Sequence, residues 1–151
     1  MTPVKSLTGV FMGMIKATDG EFAGWEYWDN DSFEKSVGPF FFRREENGKC
    51  VGAFRAEERH MNGGGSMHGG CMMSFADFGL FVIPLEVMDE LHGVTVTMNS
   101  EFIGGEKTGE LMEVRGDVLR AGGSLVFIRG MITADGRPCL NFSGTVKRLK
   151  R

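Results

Sequence analysis

The sequence predicts an α+β fold in which one antiparallel sheet wraps around a single long central helix. Three observations predict it. Residues 71–83 are apolar apart from Ser74 and Asp77, so a helix over about residues 70–83 is apolar on every side and must be surrounded. After it, residues 94–103, 110–120, 124–134 and 139–148 alternate in the manner of strands. Before it lie two shorter strand-like runs, residues 40–44 and 50–56. A chain of 151 residues fits one domain and buries roughly two thirds of its unfolded surface, and in a chain this small only a sheet can do the wrapping.

Taken in order, residues 1–38 form an N-terminal extension in which Phe11, Met12, Met14 and Ile15, followed by Trp25, Tyr27 and Trp28, suggest a short helix and an aromatic cover. Those aromatics serve either as core or as the wall of an apolar pocket. The runs 40–44 and 50–56 join through Asn47-Gly48, a dipeptide suited to the positive backbone angles of a tight hairpin. A glycine-rich junction, residues 60–70, leads into the helix. The later strands are punctuated by Thr108-Gly109, Gly122-Gly123 and Asp135-Gly136, and consecutive strands with such turns are expected to pair antiparallel. No repeat, low-complexity segment or second domain interrupts residues 1–151.

Composition narrows the function classes. With 42% hydrophobic and 25% charged residues, the chain has the make-up of an ordinary globular protein. A net charge of -3, with basic residues gathered only at 147–151, argues against nucleic acid as a partner. No uninterrupted apolar stretch reaches the ~20 residues of a membrane span, since Ser74, Asp77 and Pro84 break the best candidate. Residues 7–15 lack the cleavage site of a secretory leader. Three scattered cysteines, Cys50, Cys71 and Cys139, suit neither a metal site nor a disulfide framework, so a reducing, cytoplasmic location is expected.

Chemistry concentrates at the junction. Glycines there let backbone approach a ligand, and a helix starting at Gly69 or Gly70 aims unpaired N–H groups at it. Those donors, at the positive end of the helix dipole, suit the oxyanion of an acyl-transfer step. Asn62 offers a side-chain amide to the same oxygen or else caps its own loop. Further along the helix, Asp77 is a carboxylate where burial penalises charge, which makes it the candidate general base or nucleophile. Ser74, one turn earlier, is placed to bond to the acid or to its own helix. Gly70 and Asp77 lie seven residues apart, about 10 Å along one helix, too far to touch one carbonyl. Two subunits with helices side by side in opposite directions would join them, which implies an isologous dimer.

Asn62, Gly65, His68-Gly69-Gly70 and Asp77 stand at the spacing N-x-x-G-x-x-H-G-G-x6-D, followed by the strand 93–99. With the wrapped helix, this resembles the hotdog-fold acyl-CoA thioesterases of the phenylacetic-acid-degradation type over about residues 39–149. The resemblance implies acyl-CoA as substrate, no cofactor, a homodimer or homotetramer, and active sites shared between subunits. It implies that Asn62 contacts the thioester carbonyl and that Thr95 orients the water, while His68 marks the loop. It also implies coenzyme A contacts from Arg120 and the turn Gly122, Gly123 and Ser124, with Gly123 standing where many members carry a base. Eleven methionines and thirteen phenylalanines favour a deformable interior able to take an aryl or medium acyl chain. Two other readings use the same pocket: a hydroxyacyl-thioester dehydratase relying on His60 or His68, and a non-catalytic acyl-CoA-binding domain.

Overall fold

The computed structural model describes residues 13–150. In chain order the elements are β1 (Met14–Lys16), β2 (Glu26–Trp28), α1 (Ser32–Val37), β3 (Phe41–Arg44), β4 (Cys50–Arg55), α2 (Gly69–Val82), β5 (Gly93–Phe102), β6 (Leu111–Ala121), β7 (Leu125–Ala134) and β8 (Arg137–Arg148). All eight strands form one antiparallel sheet, ordered β1-β2-β3-β4-β6-β7-β8-β5. The sheet curls around α2, giving the expected hotdog architecture.

Helix α2 has no polar stripe because it has no wet side. Met72, Phe75, Phe78 and Leu80 are completely or almost completely buried, each contributing about 1.5–3 kcal/mol relative to an exposed position. The helix lies close to the sheet because the strands beneath it carry glycine at its contact points. A Cβ at Gly52 would stand 2.7 Å from the Phe78 ring, and one at Gly144 only 2.6 Å from Leu80 Cδ1. Length and composition alone would let Gly69–Glu86 cross a bilayer, but 61% of that stretch is buried, as in a core helix.

Two expectations need correction. Of the segment expected to form a short N-terminal helix, Phe11 and Met12 lie outside the described residues, while Met14–Lys16 is a strand paired with β2. The short helix lies instead at Ser32–Val37, where the Asp31 carboxylate accepts the Glu34 N–H at 2.9 Å and caps it. The aromatic cover divides: Trp28 packs on Phe42 and Phe78 inside, whereas Trp25 carries the Arg43 guanidinium 4.4 Å above its ring. The second correction concerns β5, which pairs with β8 and not with the strand that follows it. Its chain crosses the sheet, and Gly109 and Glu110 hydrogen-bond to Ala56 at the end of β4. That crossing leaves β5 as a ten-residue edge strand.

Candidate active site

Asp77 sits two turns into α2 and faces β5. Thr95 Oγ1 donates to its carboxylate at 2.6 Å. A bulge between Thr95 and Thr97 shifts the pairing of β5 with β8 at this point, the kind of irregularity that re-aims a side chain beside a functional site. Burial pushes the Asp77 carboxyl above its ordinary range; the Thr95 hydroxyl pulls it down, and the Asp31 carboxylate pushes it up again. Thr95 therefore stabilises the ionised, proton-accepting form. Replacing Thr95 by Val is expected to raise the Asp77 pKa further, so the acid limb of kcat/KM moves to higher pH and activity falls more at pH 6 than at pH 8. A pH profile of the variant superimposable on that of the wild type would rule out this role.

Two cavities meet at this acid. The larger, of about 560 Å³, is lined on its apolar side by Trp28, Phe78, Phe81 and Leu91. The smaller, of about 250 Å³, extends along α2 past Ser74 and Met73. Asp31, Glu34 and Asp77 line both. Glu34 escaped the sequence reading; the one signal for it was the capping pattern Asp31-Ser32-Phe33-Glu34, an acid three residues after an N-cap.

The helix start is a separate cluster. His68 is the N-cap of α2, and its Nδ1 accepts the Gly70 N–H at 2.8 Å. Gly70 is thus engaged by the loop, whereas the Gly69 N–H is the first of the helix and has no intrahelical acceptor. Asn62 Oδ1 accepts from the Gly64 and Ser66 N–H groups at 2.9 and 3.2 Å, which fixes the amide with its NH2 as the end left to donate. Gly69 and Asp77, eight residues apart, are separated by about 12 Å along the helix. One chain therefore does not bring Asp77 and Thr95 together with Asn62, His68, Gly69 and Gly70.

Other candidates divide clearly. Ser74 Oγ donates to Gly70 O at 2.8 Å, its own helix, and not to the acid. Burial raises the Cys71 thiol to about 11, which keeps it protonated. His60 is buried with both ring nitrogens engaged: Nδ1 accepts the Glu57 N–H at 2.9 Å, so Nε2 carries the proton and donates to Val37 O at 2.7 Å. That ring is a strut. Arg120 is exposed at the end of β6, beside a turn tied by Gly122 N to Leu125 O and by Arg148 Nη1 to Gly122 O. Strand register sets this turn at the same end of the sheet as Gly93–Thr95, two strands across.

The family model described as the thioesterase superfamily matches residues 64–140, from the glycine-rich junction through α2 to β8. The chain belongs to that superfamily. This thioesterase is 31% identical to a Pseudomonas aeruginosa protein described as an esterase over 109 residues, 72% of this chain and 81% of that one. It is 29% identical to human acyl-coenzyme A thioesterase 13 over 96 residues, 64% and 69% of the two chains. Among solved structures, the Escherichia coli PaaI protein of the phenylacetic acid degradation operon superposes with a TM-score of 0.70 at 20% identity, over 81% of this chain and 87% of that one. The resemblance read from the motif is borne out, and the protein is a thioester hydrolase.

Proposed function

We propose that this thioesterase hydrolyses acyl- or aryl-CoA esters to the free acid and coenzyme A, at two sites formed across a homodimer. One observation carries the shared site: α2 and β5 run antiparallel and touch along their length. Asp77 meets Thr95, Met73 Sδ accepts from Ser100 Oγ at 3.0 Å, and Phe102 lies where a Cβ on Gly69 would come within 3.4 Å of its ring. β5 is also an open edge with exposed apolar side chains, Val96 at 49% and Phe102 at 56%, and such an edge invites another strand. Pairing it antiparallel with the partner's β5 sets the Phe102 end of one chain against the Thr95 end of the other. The partner's Gly69 and Asn62 then face Asp77. A tetramer would join two such pairs through a different surface, since the β5 edges are already paired.

In this reading Asp77 delivers the attack on the acyl carbon, by taking a proton from water or through its own oxygen. Thr95 holds the carboxylate in line. The carbonyl oxygen gains negative charge as the carbon becomes tetrahedral, and the partner's Gly69 N–H and Asn62 amide meet that charge, backed by the helix dipole. His68 keeps the helix start in shape through its bond to Gly70. The larger cavity suits an aryl or medium acyl group, and its walls come from both the N-terminal extension and α2, so the whole chain works as one unit. Arg120 and the turn Gly122–Ser124 supply charge and close backbone approach for the coenzyme A phosphates, with Arg148 adding a second base. Three buried free cysteines suit a cytoplasmic setting.

The test is thiol release from phenylacetyl-, hexanoyl- and palmitoyl-CoA by the purified protein. Release is expected from the first two, with palmitoyl-CoA the poorest substrate. Tight binding of all three without release, or elimination of water from a hydroxyacyl-CoA, would overturn the proposal.

A further inference from the structure

Helix α1 is anchored so that it presents one side chain to the reacting acid. Its start is capped by Asp31. Its end is clamped from the turn Glu58–His60: Arg59 Nη1 donates to Ser36 O at 2.8 Å, Arg59 Nη2 donates to Gly38 O, and His60 Nε2 donates to Val37 O. Lys35 points away into an ion pair with Asp29 at 3.2 Å. Glu34 remains, and with Asp77 it lines both cavities, at the waist where they meet. Neither lysine nor arginine pairs with Glu34 or Asp77 among the described residues. Asp31, at the start of α1, and Glu90 and His92, from the segment before β5, are the other titratable groups on the larger cavity.

Two carboxyls facing one apolar cavity do not both ionise readily. Desolvation, then the Asp31 and Asp77 carboxylates, raise Glu34 to about 8, while Asp77 alone has the Thr95 hydroxyl to hold its charge. At neutral pH the proton belongs on Glu34 and the charge on Asp77. An alkyl thiolate, with a conjugate acid near pKa ~8.5 for a simple thiol, leaves less readily than an aryl thiolate, and an acid of similar strength is well matched to protonating it.

We propose that Glu34 is a second catalytic carboxyl, which delivers a proton to the sulfur of the departing coenzyme A. The inference rests on the hydrolysis proposed above. With water as the attacking group, its hydroxide joins the acyl carbon and its proton goes to Asp77. The C–S bond then breaks, sulfur keeps the bonding pair, and the Glu34 proton moves onto it to give the free thiol. The proton on Asp77 passes to the Glu34 carboxylate, which restores both groups. The net reaction consumes one thioester and one water and yields one acid and one thiol.

The experiment compares an acyl-CoA with the same acyl group on an acidic aryl thiol, whose thiolate leaves without protonation. Glu34→Gln keeps the shape and removes the proton. Its kcat is expected to fall about 100-fold on the CoA ester but little on the aryl thioester. Wild-type kcat on the CoA ester should decline as pH rises through about 8, and the aryl thioester should not show that limb. Because the folded-state pKa is raised, wild-type stability should also fall relative to the variant as pH rises from the ordinary carboxylate range to about 8. Equal losses on both substrates, or an unchanged kcat with the alkaline limb intact, overturn the role of Glu34 alone. A wild type inactive on every thioester overturns the hydrolase reading as well. Should Glu34→Gln not fold, the wild-type comparison of the two leaving groups decides the matter by itself.

Discussion

Asp77→Asn is expected to lower kcat on an acyl-CoA by about 10³-fold, within the range typical of removing a positioned acid or base, while leaving the fold intact or slightly more stable. Asparagine retains an oxygen to accept from Thr95 Oγ1, so the 2.6 Å contact has a replacement. The variant also removes a charge that burial disfavours in the native helix. Loss of activity with an equal or higher melting temperature therefore separates a chemical role from a structural one. An Asp77→Asn enzyme with undiminished turnover would assign the attack to another group.

Opening the β5 edge should have a comparable effect without touching any reacting group. The variant Val96→Lys places a charge on the open edge strand β5 and is expected to yield monomers by light scattering. Each active site then loses the partner's donors, and the loss of even one oxyanion donor lowers kcat by about 10²–10³-fold. A mixing experiment asks the same question from the other side. Asp77→Asn chains and Asn62→Ala chains are each expected to be poorly active alone, and their mixed dimers should regain activity, because one of the two sites then combines an intact Asp77 with an intact Asn62. Monomers that retain full turnover, or mixtures no better than their components, would locate the whole site within one chain.

Much of this architecture was legible because its signals are periodic or local. The all-round apolar character of α2 required a surrounding sheet, and the long strands β6 to β8 alternate plainly. β1 and β2 escaped because each is three residues long, too short for alternation to register. The six residues of α1 are likewise too few for a helical period, which left the Asp31 cap as the only clue. The partner of β5 was hidden because that pairing joins strands distant in sequence. At the site, Asp77 and Thr95 were visible as a polar residue on an apolar helix and a motif position. The engagement of the Gly70 N–H by His68 was not, since it depends on a ring orientation that spacing does not encode. Glu34 comes to line the same cavities as Asp77 only through the docking of α1, which brings together segments that share no pattern.

The larger cavity draws its wall from two stretches of chain with different standing. Met14, Trp28 and Glu34 precede the region that carries the superfamily signature, whereas Asp77, Phe78 and Thr95 lie within it. The two carboxyls Glu34 and Asp77 thus come from different parts of one polypeptide, and the apolar wall is shared between them. Changing the bulk of Trp28 would act as a ruler for the length of acid released, leaving the machinery that cuts the thioester in place.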